Sequence, residues 1–179
     1  MIILMGPAGA GKSVQGKLFT DELGLAWIST GGLFRAFITG ERRKELMSGK
    51  LLDDQEVIAL VQKALANIDL KDEFVIDGFP RTIKQANWIL DQVKNKKLQL
   101  TAVFNLVASK RAIQERLIQR GRDDDNPKVI KVRFEEFKHK TLPIIELFKE
   151  NNIKVIDINA DARPIEVHRE IIGHLPEII

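Results

Sequence analysis

The first residues of the chain contain a pattern that could bind a polyphosphate. Residues 6–13 read Gly-Pro-Ala-Gly-Ala-Gly-Lys-Ser, which matches the phosphate-binding loop G-x-x-x-x-G-K-S/T directly after an apolar run at 2–5. In such a loop, backbone N–H groups and the positive end of the next helix dipole attract phosphate. Lys12 would supply a mobile charge to the β and γ oxygens, and Ser13 would offer a hydroxyl to Mg²⁺. A glycine-rich turn without a ligand is the alternative, which the strand–loop–helix context disfavours.

A carboxylate and a set of arginines form the second group of candidates. Asp77 ends an apolar run, at the position of an acid that holds Mg²⁺ directly or through water, although it could instead cap the next helix. Arginine forks match phosphate oxygens, and phosphoryl transfer needs fixed positive charge around the reacting phosphate. The candidates for this role are Arg35, Arg81, Arg116, Arg120, Arg122 and Arg133. Each alone is typical of a solvated helix face, but together they favour a phosphate site.

These residues need a scaffold, and the hydrophobic pattern predicts one. Short apolar runs predict five buried parallel strands at 2–5, 26–29, 73–76, 102–107 and 153–158. Amphipathic stretches predict helices at 12–23, 54–68, 82–95, 109–120, 164–173 and 127 to about 149, the last kinked at Pro143. Alternating strands and helices predict a doubly wound α/β fold. Because ligands bind beyond the carboxyl ends of such strands, the candidates above should face one cleft.

Composition limits the remaining classes of function. The 179 residues predict one domain, and the net charge of +3, from 28 basic and 25 acidic residues, is too small to indicate nucleic-acid binding. The sequence has no cysteine, and its three histidines lack metal-ligand spacing. No apolar stretch approaches 18 residues, and the first residues lack the pattern of a signal peptide. We therefore expect a cytoplasmic protein that neither spans a membrane nor binds nucleic acid.

Several motifs resemble those of adenylate kinases, in the same order over nearly the whole chain. Besides the phosphate loop, the matching segments are 28–35 (Ile-Ser-Thr-Gly-Gly-Leu-Phe-Arg), 49–52 (Gly-Lys-Leu-Leu), 77–82 (Asp-Gly-Phe-Pro-Arg-Thr), 85–86 (Gln-Ala), 115–117 (Glu-Arg-Leu) and 122–126 (Arg-Asp-Asp-Asp-Asn). The Asp-Gly-Phe-Pro-Arg and Ser-Thr-Gly runs are typical of nucleoside monophosphate kinases. The resemblance implies reversible phosphoryl transfer from ATP to AMP, giving two ADP, with Mg²⁺, in a monomer that serves adenine nucleotide homeostasis.

The resemblance also assigns roles to individual residues. It implies that ATP is bound by Gly9, Ala10, Gly11, Lys12, Ser13, Val14, Arg116, Arg120 and Arg163. It implies that AMP is bound by Thr30, Arg35, Lys50, Leu51, Leu52, Gly78, Phe79, Pro80, Arg81, Gln85, Arg122 and Arg133. The residues implied in catalysis are Lys12, Arg81, Arg120, Arg122 and Arg133. Gln85 would read the adenine, and Ser13 and Asp77 would hold Mg²⁺. Asp124 and Asp125 match an acidic pair that orders the closed lid.

The sequence departs from the family pattern in three places. Ser13-Val14 replaces the usual Gly-Thr after the loop lysine, and Gly32 replaces an acid. The AMP-binding insert, at about 30–52, is shorter than usual, and the lid is reduced to about 120–126. We expect these segments to belong to a single domain that spans residues 1–179.

Other functions compete with this interpretation. A kinase for UMP or CMP would share the motifs, although pyrimidine-preferring relatives commonly have alanine at the position of Thr30. A nucleotide-binding module without turnover would be expected to lack Lys12, Asp77 or the arginines, and all are present. A guanine-nucleotide switch would need an Asn-Lys-x-Asp base reader, and Asn95-Lys96 is not followed by that pattern.

Overall fold

The predicted strands form a parallel sheet. In the computed structural model, which describes residues 1–49, 51–122 and 125–175, the strands are β1 (Ile2–Met5), β2 (Ala26–Ser29), β3 (Phe74–Asp77), β4 (Ala102–Val107) and β5 (Val155–Asn159). Their order is β2-β3-β1-β4-β5, and every neighbouring pair is parallel. The predicted α/β fold is confirmed, although β3 and β5 begin slightly later than expected, at Phe74 and Val155.

Helices connect the strands. Their bounds are α1 (Lys12–Leu23), α2 (Thr30–Phe37), α3 (Gly40–Met47), α4 (Asp54–Leu65), α5 (Ile83–Lys94), α6 (Lys110–Arg120), α7 (Pro127–Glu136), α8 (Pro143–Glu150) and α9 (Pro164–His174). The long helix predicted up to about 149 is divided, because a π-helical turn at Phe137–Thr141 separates α7 from α8. The N–H of Leu142 donates to the carbonyl of Phe137 at 2.8 Å. The helix is thus interrupted directly before Pro143, which has no N–H to continue it.

Helices cover both faces of the sheet because its central strands are apolar on both faces. Ile2 and Leu4 of β1 pack in a buried cluster with residues of α1 and α9. Ile3 and Met5 point the other way, into a cluster with residues of α4, α5 and α8. This burial holds the carboxyl ends of the strands in place. None of the helices among the described residues is long and apolar enough to cross a membrane.

The segment at 30–52 contains two helices to which the sequence interpretation assigned no secondary structure. Ser29 caps α2, since its Oγ accepts a hydrogen bond from the N–H of Gly32 at 3.3 Å. The paired glycines of the first turn disfavour a helix. Burial of Phe34, which is 8% exposed, in the core outweighs that preference.

Candidate active site

A cleft of about 770 Å³ opens at the carboxyl ends of β1, β2 and β3. Most of the residues that the sequence predicted for the site line it: Gly9, Ala10, Gly11, Lys12, Ser13, Val14, Arg35, Leu51, Leu52, Asp77, Gly78, Pro80, Arg81, Gln85, Arg116, Arg120, Arg122 and Arg133. The phosphate loop, the turn after β3 and the helices α6 and α7 thus surround one space. This is where a parallel sheet places its ligand.

Thr30 and Phe79 are buried beside the cleft rather than lining it. Thr30 is 0% exposed, and its hydroxyl donates to the carbonyl of Asp77 at 3.1 Å. Phe79 is also buried and packs edge-to-face on Trp88, with ring centroids 5.8 Å apart. In this structure both residues support the turn after β3.

Arg163 lies outside the cleft, although its neighbour Pro164 is in the cleft wall. Its exposed guanidinium forms an ion pair with Glu166 (Nη2–Oε1 2.5 Å) at the beginning of α9. Two further predicted residues, Lys50 and Asp124, lie outside the described residues.

The phosphate loop ends in a backbone conformation that favours glycine. Gly11 has φ +102°, and a Cβ there would meet nothing within 4 Å, so its open side faces the space for a ligand. Lys12 begins α1, and its Nζ donates to the carbonyls of Gly6 (2.7 Å) and Pro7 (2.8 Å). The ammonium group is therefore folded back over the loop that would hold phosphate.

The free cleft disfavours the charged form of Lys12. Desolvation in the cleft, together with the positive charge of Arg81, lowers the pKa of Lys12 to about 7 despite the opposing effect of Asp77. The charges of Arg120 and Arg133 act in the same direction as Arg81. A polyphosphate would reverse the sign of this environment, because negative charge stabilises the ammonium form.

We expect nucleotide binding to take up protons at Lys12. Because the pKa of Lys12 in the free cleft is lowered to about 7, ATP binding near neutral pH should take up a fraction of a proton, and this uptake should be larger at pH 8 than at pH 6. Isothermal titration in two buffers of different ionisation enthalpy measures this number. The same titration of Lys12→Met supplies the contribution of ATP itself, and an uptake equal in both proteins would contradict the prediction.

Two donors from β2 hold the carboxylate of Asp77. The indole Nε1 of Trp27 donates to Oδ2 at 2.9 Å, and the hydroxyl of Ser29 donates to Oδ1 at 3.3 Å. Asp77 is 4% exposed and lines the cleft together with the hydroxyl-bearing Ser13. Carboxylate and hydroxyl oxygens are the hard ligands that Mg²⁺ prefers, so the donor set fits this ion.

The described residues hold no cluster of three or more His, Cys, Asp or Glu that could bind a metal without further ligands. Mg²⁺ usually keeps several waters and is bound through one or two protein groups plus substrate phosphates. The cleft therefore suits Mg²⁺ that arrives with a nucleotide.

A hydrogen-bond network holds Arg81 and Gln85 in place. The Nε of Arg81 donates to the carbonyl of Gly78 at 2.8 Å, and its backbone N–H donates to Oε1 of Gln85 at 2.7 Å. The Nε2 of Gln85 donates to Asp54 at 2.8 Å, and Thr82 donates to the same carboxylate oxygen at 2.7 Å. Gln85 is 1% exposed. Asp54, which the sequence interpretation did not single out, thus fixes the orientation of the amide.

The turn after β3 also depends on a close approach. Gly78 has φ +77°, and a Cβ there would lie 2.4 Å from Oγ1 of Thr30 and 3.0 Å from Nη2 of Arg81. Only glycine fits this position without displacing both side chains. Desolvation in the cleft lowers the pKa of Arg81 from its usual value, as expected for a cation held ready for an anion.

Asp125 gathers the arginines on the other side of the cleft. Its carboxylate accepts two hydrogen bonds from Arg120 (Nε 2.8 Å, Nη2 2.5 Å), one from Nη1 of Arg133 (3.4 Å) and one from the backbone N–H of Arg122 (3.3 Å). Its side chain is 2% exposed. Burial alone would raise the pKa of Asp125, but the hydrogen bonds and charges of Arg120 and its neighbours hold that pKa below its usual value. The carboxylate thus orders positive charge before any phosphate is present.

Asp125→Asn should destabilise the protein in a pH-dependent way. Loss of charged hydrogen bonds should lower the free energy of unfolding by about 1.5–3 kcal/mol at neutral pH. Because the pKa of Asp125 is depressed in the fold, this stabilisation is complete above the unfolded value of about 3.8 and is lost as the pH falls through the lower folded value.

Urea denaturation at pH 7 and pH 5 should show the same difference between wild type and Asp125→Asn, and acidification below 3.8 should reduce it. Asp21→Asn is the matched control, because Asp21 forms an exposed i,i+4 pair with Lys17. That variant should change stability by less than about 0.5 kcal/mol. Equal effects of the two substitutions would contradict the role given to Asp125.

The segment at 30–49 reaches across the cleft to α7. Gly49 has φ +86°, and a Cβ there would lie 3.0 Å from Cγ1 of Val129 and 3.2 Å from Cγ of Arg133. The glycine therefore permits a backbone contact that a larger residue would prevent. Sequence patterns gave no sign of it, because the contact joins residues far apart in the chain.

Comparison with known proteins agrees with the geometry. A family model described as adenylate kinase matches residues 4–153. The chain is similar to the adenylate kinase of Corynebacterium urealyticum (37% identical, covering 89% of this chain and 90% of the relative). It is also similar to those of Prochlorococcus marinus (36%; 89% and 91%) and Leptospira biflexa (35%; 85% and 87%). The resemblance noted in the sequence is thereby confirmed, and the chain belongs to the adenylate kinase family.

Proposed function

We propose that this chain catalyses the reversible transfer of the γ-phosphoryl group of ATP to AMP, which yields two molecules of ADP. The observation that carries the proposal is the shared cleft. It joins a complete phosphate loop with Lys12 to the turn that presents Arg81, and helices α6 and α7 add further arginines between them. A cleft with a phosphate site at each end and cations between them suits a donor and an acceptor that both carry phosphate.

The donor nucleotide lies on the side of the phosphate loop. Its β- and γ-phosphates would replace the carbonyls of Gly6 and Pro7 as partners of Lys12. Arg116, whose Nη2 lies 3.4 Å from the carbonyl of Ala162, would cover the ATP base and phosphates. Arg120, which ends α6, and Arg122 and Asp125, which precede α7, would belong to the reduced lid.

The acceptor lies between the turn after β3 and the insert at 30–52. Arg35 and Arg81 would hold the phosphate of AMP, and Leu51 and Leu52 would form the apolar wall. Gln85 would read the adenine with the amide hydrogen that Asp54 does not use. Fixed polar groups of this kind discriminate among bases more strongly than apolar contacts do.

Catalysis requires positioning and charge, and no general base. The acceptor phosphate is already anionic, so the protein needs only to align it with the γ-phosphoryl group and to neutralise charge. Arg120, Arg122 and Arg133, gathered around Asp125, would contact the transferring group. Ser13 and Asp77 would hold Mg²⁺, directly or through water. Bound Mg²⁺ neutralises phosphate charge and orients the β and γ oxygens.

An acceptor panel tests the proposal. Purified protein is incubated with ATP and Mg²⁺ and with AMP, UMP or CMP, and ADP is measured by a coupled assay. Efficient turnover with AMP and little with the pyrimidine nucleotides is the expected result. A preference for UMP or CMP would identify a pyrimidine nucleotide kinase. Binding of ATP without turnover for any acceptor would identify a nucleotide-binding module.

A further inference from the structure

Trp27 reaches from β2 to the carboxylate at the end of β3. The two strands are in register, with Trp27 opposite Val75 and Ser29 opposite Asp77. Side chains two residues apart in a strand share a face. Trp27 and Ser29 therefore lie on the same side of the sheet and donate to different oxygens of Asp77, at 2.9 and 3.3 Å.

The indole has room only because the facing residue of α1 is glycine. A Cβ at Gly16 would lie 2.3 Å from Nε1 and 2.4 Å from Cε2 of Trp27. Glycine inside a helix costs about 1 kcal/mol relative to alanine, and here Gly16 is buried in α1. The structure therefore holds the indole between a helix backbone and the carboxylate of Asp77.

We infer that Trp27 is a positioning residue for Asp77 and that Gly16 provides the space in which it acts. The inference rests on the proposed role of Asp77 in holding Mg²⁺. A carboxylate offers about four lone pairs. Trp27 and Ser29 each use one, on different oxygens, so the orientation is fixed while acceptor capacity remains on both oxygens. Side chains that hydrogen-bond to a metal-ligating carboxylate orient it and thereby change the affinity of the site for the metal.

The first test removes the donor and keeps an aromatic ring. Trp27→Phe should raise the free Mg²⁺ concentration that gives half-maximal phosphoryl transfer by at least ten-fold. The Kd for ATP measured in EDTA should stay within two-fold of wild type, because the phosphate loop is unchanged. Trp88→Phe is the matched control. Trp88 packs on Phe79 and is not one of the donors to Asp77. In Trp88→Phe the Mg²⁺ concentration for half-maximal transfer should therefore stay within two-fold of wild type.

Gly16→Ala provides a second route to the same effect. The variant keeps the indole N–H group, but the added Cβ displaces the indole from Asp77. The free Mg²⁺ concentration that gives half-maximal transfer should therefore rise again. A double-mutant comparison with Asp77→Asn tests whether Trp27 acts through the carboxylate of Asp77. If Trp27 acts through that carboxylate, Trp27→Phe should change Mg²⁺ dependence in the wild-type background and not in the Asp77→Asn background.

A spectroscopic measurement is independent of activity. The chain has two tryptophans, so Trp27 is the only fluorophore of its kind in Trp88→Phe. Addition of Mg²⁺ to the complex of this variant with ATP should change the Trp27 emission, and Asp77→Asn should abolish the change. An unchanged emission would overturn the inference, and it decides the matter even if Trp27→Phe does not fold.

The outcomes separate the inference from the proposal on which it rests. If Asp77→Asn leaves half-saturation by Mg²⁺ unchanged, the metal role of Asp77 is wrong, and the inference is wrong with it. If Asp77→Asn changes half-saturation but Trp27→Phe stays within two-fold, only the inference is overturned. The inference is supported if Trp27→Phe and Asp77→Asn each raise the Mg²⁺ concentration for half-maximal transfer and the double variant shows no further rise.

Discussion

Replacing Lys12 with alanine should lower kcat by about 10²–10³-fold with the fold intact. Loss of one preorganised contact to developing charge costs about 3–4 kcal/mol. In the free protein the ammonium group already lies over the loop, bonded to the carbonyls of Gly6 and Pro7. ATP would therefore meet an amine that is already in position and that becomes fully charged beside the phosphates. Alanine removes this group from the place where negative charge develops.

The fold should tolerate this substitution because the free cleft does not stabilise the ammonium form. The depressed pKa of Lys12 means that its charge costs free energy before nucleotide binds. A thermal melt of Lys12→Ala should therefore match or exceed that of wild type. Lys149→Ala is the control for loss of a lysine, because its amine pairs with Glu146 at the surface of α8, outside the cleft, and its kcat should change less than two-fold. A Lys12→Ala variant that keeps more than half of the wild-type turnover would refute the assignment.

Local patterns predicted the features that depend on neighbours in sequence. The phosphate loop is a contiguous motif, and the strands at 2–5 and 102–107 are short apolar runs buried on both faces, while the run at 26–29 is partly buried. Such runs are typical of a parallel strand with helices on both faces of the sheet. Because ligands bind beyond the carboxyl ends of such strands, Asp77 and the arginines were expected at that edge of the sheet, and the structure places them there.

Features that depend on distant contacts escaped prediction. Trp27 lies in the apolar run at 26–29, which predicts only a buried strand, yet its indole donates to Asp77, fifty residues away. His168 lies in the helix predicted at 164–173, and no local pattern indicates its partner. In the structure it is 1% exposed and its Nδ1 lies 3.0 Å from Oε1 of Gln15. Pairings of this kind follow from packing in three dimensions, which propensity and periodicity do not encode.

The resemblance to a family implied roles for individual residues, and the structure adds contacts that refine some of these roles. Asp125 was expected to order the lid, and the structure adds that it binds the guanidinium of Arg120 through both carboxylate oxygens. Thr30 was expected to bind AMP, but it is buried and its hydroxyl donates to the carbonyl of Asp77. We therefore expect selectivity for AMP to depend more on Gln85, whose amide orientation is fixed by Asp54 and Arg81.

Replacing Arg81 with alanine should weaken AMP binding far more than ATP binding. The guanidinium is anchored by its Nε to the carbonyl of Gly78, and the hydroxyl of Thr141 donates to the Arg81 carbonyl at 2.9 Å. The Nη groups therefore need no reordering to bind the acceptor phosphate. Loss of a desolvated arginine–phosphate pair costs about 2–5 kcal/mol, which is about 30-fold or more in Kd.

Isothermal titration with AMP and with ATP measures both losses on the same protein. The Kd for AMP should rise by at least 30-fold and that for ATP by less than three-fold, because in the proposed arrangement the phosphate loop and α6 would hold ATP. Arg81→Lys should recover only part of the AMP affinity, since lysine keeps the charge but lacks the planar fork. Arg111→Ala is the control for loss of an arginine, because Arg111 forms an exposed pair with Glu115. Equal losses for the two nucleotides in Arg81→Ala would show that Arg81 belongs to both sites and that the acceptor site must be drawn elsewhere in the cleft.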